Sequence, residues 1–124
     1  MATLDDDLHL KKFQKELNAG IVSLVLLATL AAADEPLYGY QIAKLLEPDG
    51  DAAGTVKQGT LYPVLRALSA ANILASHVEP SVSGPPRRYY RITNEGRGVL
   101  AEWKQAWART RDFVDSVLGD SKHE

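Results

Sequence analysis

The sequence contains no cysteine, which excludes disulfide bonds and thiolate-ligated metal sites. Its three histidines, at positions 9, 77 and 123, are too scattered along the chain to indicate a cluster of metal ligands. The sequence also offers no nucleophile paired with a base and no phosphate-binding loop. It therefore predicts a binding protein that needs no cofactor or metal, and it does not indicate an enzyme.

Long apolar runs are missing as well. The longest one, residues 21–33, is shorter than the ~20 residues that a membrane-spanning helix needs. Residues 5–7 are three aspartates, where a signal peptide would be basic. The 124 residues suffice for one globular core but are too few for two full-sized domains. We therefore expect a soluble, cytoplasmic protein with one domain and an appended helix, and no membrane partner.

Positive charge is scarce overall, because 14 Lys and Arg residues stand against 16 Asp and Glu residues, for a net charge of -2. The charge is nevertheless uneven along the chain. Residues 1–54 hold four basic and nine acidic residues (net -5), residues 55–97 hold six and two (net +4), and residues 98–124 hold four and five (net -1). DNA affinity depends on the local field at the contact surface, so the positive middle segment can bind nucleic acid in an acidic protein.

Apolar residues at three- and four-residue steps predict a first helix over residues 8–33, with a candidate break or bend at Gly20. Its second half is apolar nearly all round, which is typical of a buried helix.

A short second helix follows Pro36 and ends at Pro48. Its predicted apolar face comprises Tyr38, Ile42, Leu45 and Leu46, and the residues away from that face are Tyr40, Gln41 and Lys44. The polar, glycine-containing stretch 49–55 is a predicted connection; residues 49–51 (DGD) lack the remaining ligands of a calcium loop.

A third helix is predicted from Gln58 to Ala71. Its apolar stripe comprises Leu61, Val64, Leu65 and Leu68, and its outward residues are Thr60, Tyr62, Pro63 and Arg66. Pro63 lies near the helix start, where a missing N–H costs least.

Two strands of a β-hairpin are predicted at residues 73–79 and 87–93, because the segment 80–86 between them is rich in turn residues. Tyr90 and Ile92 are its predicted core residues.

The last predicted helix runs from Asn94 to Leu118, with Thr93 as its N-cap and residues 120–124 as a frayed tail. Apolar residues recur in it with a 3.5-residue period: Leu100, Trp103, Trp107, Thr110, Val114 and Val117. Such a period produces a seam for a partner helix. The simplest partner is the same helix of a second subunit, joined by the N-terminal helix.

The motifs LYGYQIAKLL (37–46), GTLYPVLRAL (59–68), GPPRRYYRIT (84–93) and NEG (94–96) occur in this order. As a set, and over residues 20–118, they resemble the PadR family of bacterial transcriptional regulators. The resemblance implies a mainly α fold with a small β-hairpin, in which residues 1–93 form the N-terminal helix and a winged helix-turn-helix domain and residues 94–124 the dimerisation helix and tail. It also implies a homodimer that binds double-stranded DNA, commonly at an inverted repeat, and a repressor that a hydrophobic or aromatic small molecule releases.

Carried over to this chain, the family resemblance implies two sets of site residues. The DNA-contact set is Tyr40, Lys44, Lys57, Gln58, Thr60, Tyr62, Pro63 and Arg66, with Arg87 and Arg88 at the wing. The ligand set is Trp107, where the family stacks planar ligands, and Trp103.

Plainer interpretations of these residues stay open. Tyr62 and Pro63 could pack on the preceding helix, and Arg87 with Arg88 could be a solvated hairpin tip. The two tryptophans could be packing anchors. A winged-helix module that binds proteins instead of DNA would need an apolar outer face on the third helix. The outward residues Thr60, Tyr62 and Arg66 favour DNA.

Overall fold

The computed structural model describes residues 4–46 and 58–119. In chain order these residues form α1 (Leu4–Ala32), β1 (Leu37–Tyr38), α2 (Gly39–Leu45), α3 (Gln58–Ala70), β2 (Leu74–Glu79), β3 (Arg87–Ile92) and α4 (Asn94–Leu118). The predicted helix stop at Pro48, the loop 49–55, Lys57 and the tail 120–124 lie outside the described residues. Of Gln58, only the backbone is described.

Helix α1 passes through Gly20 without interruption, so the break considered there does not occur. A Cβ added at Gly20 would meet no other atom, and a helical glycine costs only about 1 kcal/mol relative to alanine. The second half of the helix buries one face in the core, through Val22, Leu26, Leu27 and Leu30, whereas Val25 is exposed. This half of α1 is therefore the central element of the core.

By length and composition alone, α1 could also cross a membrane. An 18-residue window within Asp7–Ala32 reaches a mean hydropathy of 1.5. However, Leu26 and Leu27 have no exposed surface, because they pack among the core residues of the other helices and strands. This packing is that of a core helix in a folded domain.

The three strands form one antiparallel sheet in the order β1-β3-β2. The predicted hairpin is confirmed, with Leu74 opposite Ile92 at one end and Glu79 opposite Arg87 at the other. Tyr90 and Ile92 are buried, as expected. The third strand, β1, was not predicted: Leu37 pairs with Tyr90 and Tyr38 with Tyr89.

Two of the four residues predicted for the apolar face of the second helix do not belong to it. Tyr38 lies in β1 and precedes α2, where its backbone N–H donates to Oε1 of Gln41 at 3.0 Å. Leu45 is 63% exposed, whereas Ile42 and Leu46 are buried. The helix has seven residues, which is about two turns, and Ile42 is its buried large apolar residue.

Helices α3 and α4 follow their predicted spans, and α3 ends one residue earlier, at Ala70. Leu61, Leu65 and Leu68 are buried, as their spacing predicts. At the start of α4, the Thr93 hydroxyl accepts a hydrogen bond from the Gly96 N–H at 2.9 Å, which confirms the N-cap. A Cβ at Gly96 would collide with the carbonyl oxygen of Ile73, so α4 begins in close contact with the chain that enters β2.

Candidate functional site

The outer face of α3 carries the residues that the sequence placed there. Thr60, Tyr62, Pro63 and Arg66 are exposed, whereas Leu61 and Leu65 on the opposite face have no exposed surface. The helix thus presents a hydroxyl, a phenol and a guanidinium on one face. These groups donate and accept the hydrogen bonds by which proteins contact base edges and phosphates.

Tyr62 is packed against α2 on one side and exposed on the other. Its ring lies against the backbone of Gly39 at the start of α2. The residue nevertheless keeps 36% of its surface exposed. The ring is therefore fixed on one side while its remaining surface is available to a partner.

Arg88 extends the α3 surface onto the wing, the hairpin formed by β2 and β3. Its Nη1 donates to Oγ of Ser76 at 2.9 Å. Burial raises the pKa of the nearby Tyr90 phenol, Arg88 and Arg66 oppose this rise, and Tyr62 adds to it. All three groups lie within electrostatic range of the Tyr90 hydroxyl, so Arg88 is on the same side of the wing as Tyr62 and Arg66 of α3.

Arg87 lies on the other face of the wing. Its guanidinium carbon is 4.4 Å from the centre of the Tyr38 ring, in cation–π geometry. The same face carries an edge-to-face contact between Tyr38 and Tyr89 at 5.4 Å and a stacked contact between Tyr89 and His77 at 5.6 Å. Successive strand residues point to opposite faces, so the neighbouring arginines do not form a single patch.

A groove of about 530 Å³ separates the middle of α1 from α4. It is lined by Glu16, Leu17, Gly20, Ile21, Ser23, Leu24, Trp103, Ala106, Trp107 and Thr110. Its volume lies within the range of small-molecule sites, and its lining is mainly apolar and aromatic. Trp103 packs partly against the core, whereas Trp107 is 41% exposed. Both tryptophans predicted to bind a ligand therefore line one groove, with Trp107 the more accessible.

The transcriptional regulator PadR-like family matches residues 26–102, which is more than half of the chain. The chain belongs to this family. The match spans the C-terminal end of α1, the winged helix and the start of α4, and thus every predicted DNA-contact residue.

Individual proteins agree with this assignment. The chain is 36% identical over 92 residues to the transcriptional regulator Rv3488 of Mycobacterium tuberculosis, covering 74% of this chain and 79% of that protein. A PadR family transcriptional regulator from Eggerthella lenta superposes with a TM-score of 0.80 at 34% identity, over 94% of this chain and 97% of that one. A PadR-like regulator from Bacillus cereus gives 0.63 at 29% identity, over 80% and 92%. The fold is the PadR-like winged helix.

The structure divides the ten predicted DNA-contact residues of this PadR-like protein into groups. Thr60, Tyr62, Pro63 and Arg66 are exposed on α3, and Arg88 is exposed on the wing face that carries Tyr90. Tyr40 and Lys44 are exposed on α2, and Arg87 lies on the other wing face. Lys57 and the side chain of Gln58 lie outside the described residues.

Two residues of the site escaped the sequence analysis. Gly39 was quoted within a motif but given no role, although it supports the Tyr62 ring. Glu16 was not considered for the groove, because its place opposite Trp103 and Trp107 depends on how α1 packs on α4. No local sequence signal marks either contact, since both join segments that are distant along the chain.

Proposed function

We propose that this PadR-like protein is a sequence-specific DNA-binding repressor. It acts in the cytoplasm as a homodimer and leaves its operator when a small hydrophobic or aromatic molecule binds. The observation that supports this proposal best is the exposed outer face of α3, with Thr60, Tyr62 and Arg66. Arg88 on the wing lies within electrostatic range of the same Tyr90 hydroxyl as Tyr62 and Arg66. The three α3 residues can reach base edges or phosphates, and Arg88 supplies charge for a phosphate.

The alternative, a winged-helix module that binds proteins, would require an apolar outer face on α3. That face instead carries a hydroxyl, a phenol and a guanidinium. The segment that contains it, residues 55–97, has a net charge of +4. A cationic, hydrogen-bonding surface is what a phosphate backbone attracts.

Selection of bound fragments from genomic DNA tests the proposal directly. We expect the protein to enrich an inverted repeat whose half-sites are about one helical turn (~34 Å) apart. Affinity should fall as salt rises, by about 0.9 log units per phosphate contact for each tenfold increase. Absence of duplex binding at low salt would favour the protein-binding module instead.

The homodimer is supported by apolar side chains at the two helical ends of the chain. On α1, the exposed residues are Leu8, Leu10, Phe13 and Leu17; on α4, they are Trp107, Phe113, Val114, Val117 and Leu118. Phe113, Val117 and Leu118 are each more than 60% exposed. Apolar patches of this extent on a single chain mark protein–protein interfaces. A two-fold partner that presents the same helices covers both sets.

Replacing Val114 with aspartate should convert the dimer to monomer, because the carboxylate would be buried without a partner in the seam. Light scattering at micromolar concentration is the measurement, and twice the chain mass is expected for the wild type. Gln105→Asp introduces the same side chain at an exposed position on the opposite side of α4 and should leave the dimer intact. A wild-type monomer, or a Val114→Asp dimer as stable as the wild type, contradicts the proposed interface.

Release by a ligand is supported by the groove between α1 and α4. The same two helices carry the proposed dimer surface, so a molecule bound between them can alter the spacing of the two subunits. If that molecule binds the DNA-free spacing more tightly, it must lower the DNA affinity by the same coupling free energy. Repression then ends when the two α3 helices no longer match adjacent grooves.

A further inference from the structure

The ring of Tyr62 is seated on a backbone position that has no side chain. A Cβ built on Gly39 would lie 2.5 Å from Cε1, 2.8 Å from Oη and 3.0 Å from Cζ of this ring. Separations below 3.0 Å are not sustained by real Cβ atoms, so the observed ring position requires glycine at position 39. The backbone of Gly39 is not in the left-handed region, so conformation alone does not require glycine there.

Gly39 itself is held firmly by its neighbours. It follows Tyr38, which pairs with Tyr89 in the sheet and carries the Arg87 guanidinium over its ring. The Tyr38 N–H is bound by the Gln41 side chain at 3.0 Å. Gly39 is buried at the first residue of α2. The surface under Tyr62 is thus tied to the wing through β1.

We propose that Gly39 is a positioning residue for DNA reading, which holds the Tyr62 phenol in the orientation that discriminates between sequences. This inference rests on the proposed function, because it assigns to Gly39 the geometry of one DNA-contact side chain. Gly39 thereby connects the wing, through β1, to the DNA-contacting face of α3. Gly39 acts through Tyr62 and touches no DNA itself.

Replacing Gly39 with alanine should change the orientation of the Tyr62 ring without unfolding the protein. The added methyl group meets the far end of a flexible side chain rather than backbone, so the ring swings away while α2 and α3 keep their places. Alanine also favours a helix more than glycine does, so the melting temperature should not fall markedly. The ring should lose the orientation it has in the wild type.

The measurement is the ratio of affinities for the selected operator and for a scrambled duplex of equal length. We expect Gly39→Ala to lower this ratio about tenfold, because a good base contact provides roughly a factor of ten or more in discrimination. Affinity for the scrambled duplex and the salt slope should change less than twofold. Gly98→Ala is the matched control, since it adds the same methyl group to a helix where no atom lies within 4 Å.

A double-mutant cycle with Tyr62→Ala identifies the route of the effect. With the ring removed, the methyl group at position 39 has nothing to displace, so adding Gly39→Ala to Tyr62→Ala should leave the affinity ratio unchanged. A further loss in that background would show that Gly39 acts elsewhere and would overturn the proposal. An unchanged ratio in the single variant Gly39→Ala would overturn it too.

The folding of the double variant and the nuclear Overhauser contacts of the wild type test the proposal independently. If Gly39→Ala does not fold, the double variant must fold and must match Tyr62→Ala in discrimination, or the proposal fails. In solution, nuclear Overhauser contacts between the Gly39 α-protons and the Tyr62 ring should be present in the wild type, and their absence would overturn the seating independently of DNA. A wild type that binds no duplex refutes the proposed function, whereas normal binding with an unaltered variant refutes only the role of Gly39.

Discussion

Alanine at both Arg66 and Arg88 should lower the affinity for every duplex, operator and scrambled alike, on the order of a hundredfold. Both guanidiniums are exposed, one on α3 and one on the wing, and both lie within electrostatic range of the Tyr90 hydroxyl. A hydrogen bond to a charged group contributes about 1.5–3 kcal/mol, so losing two of them per subunit accounts for at least this factor. Because phosphates carry no sequence information, discrimination between duplexes should change little.

The salt dependence provides an independent measure of the same loss. The slope of log affinity against log salt should become shallower by about 0.9 for each phosphate contact removed. Fluorescence anisotropy with a labelled duplex at several salt concentrations gives the affinity and the slope together. A loss confined to the operator, with an unaltered slope, would show that these arginines read bases.

Two single-arginine variants serve as controls. Arg97→Ala removes the same charge from an exposed position on α4 and should reduce binding far less. Arg87→Ala removes the residue next to Arg88, and we expect a smaller effect because its guanidinium rests on Tyr38 on the opposite wing face. Equal losses from Arg87 and Arg88 would mean that both wing faces meet the DNA.

Where local pattern decides the structure, the sequence predicted it well. The leucine spacing of α3, the turn residues between β2 and β3, and the capping threonine of α4 each act within a few residues, and all three elements occur as expected. The core positions Tyr90 and Ile92 follow from the two-residue period of a strand. The outward set on α3 follows in the same way from the helical period.

The errors arise where distant segments decide the structure. Tyr38 fits the apolar face of a helix by spacing, yet its backbone pairs with Tyr89, some fifty residues later in the chain. Gly20 is a helix breaker by propensity, but core packing on its C-terminal side keeps α1 continuous. The packing of Tyr62 against Gly39 also depends on contacts between distant segments. The same is true of the position of Glu16 in the groove. Tertiary contacts of this kind leave no periodic signal.

Removing the Trp107 ring should abolish the response to ligand while leaving DNA binding in its absence intact. In the wild type, planar hydrophobic compounds are expected to quench tryptophan fluorescence and to lower operator affinity by 5- to 150-fold, the usual range of allosteric coupling. Trp107 is the more accessible of the two tryptophans in the groove and offers a flat face to such a compound. Trp107→Ala should remove both effects.

The variants must distinguish ligand stacking on Trp107 from helix packing by Trp107, because this residue also belongs to the apolar seam of α4. Trp107→Leu keeps an apolar side chain in that seam but removes the flat ring, so it should dimerise and bind DNA normally yet fail to respond. A panel of polycyclic aromatic compounds, titrated into the protein–operator complex, supplies the ligand. The fluorescence that remains in either variant comes from Trp103, which also lines the groove. If that emission is still quenched and the operator still released, Trp107 is a packing anchor and the effector binds without it.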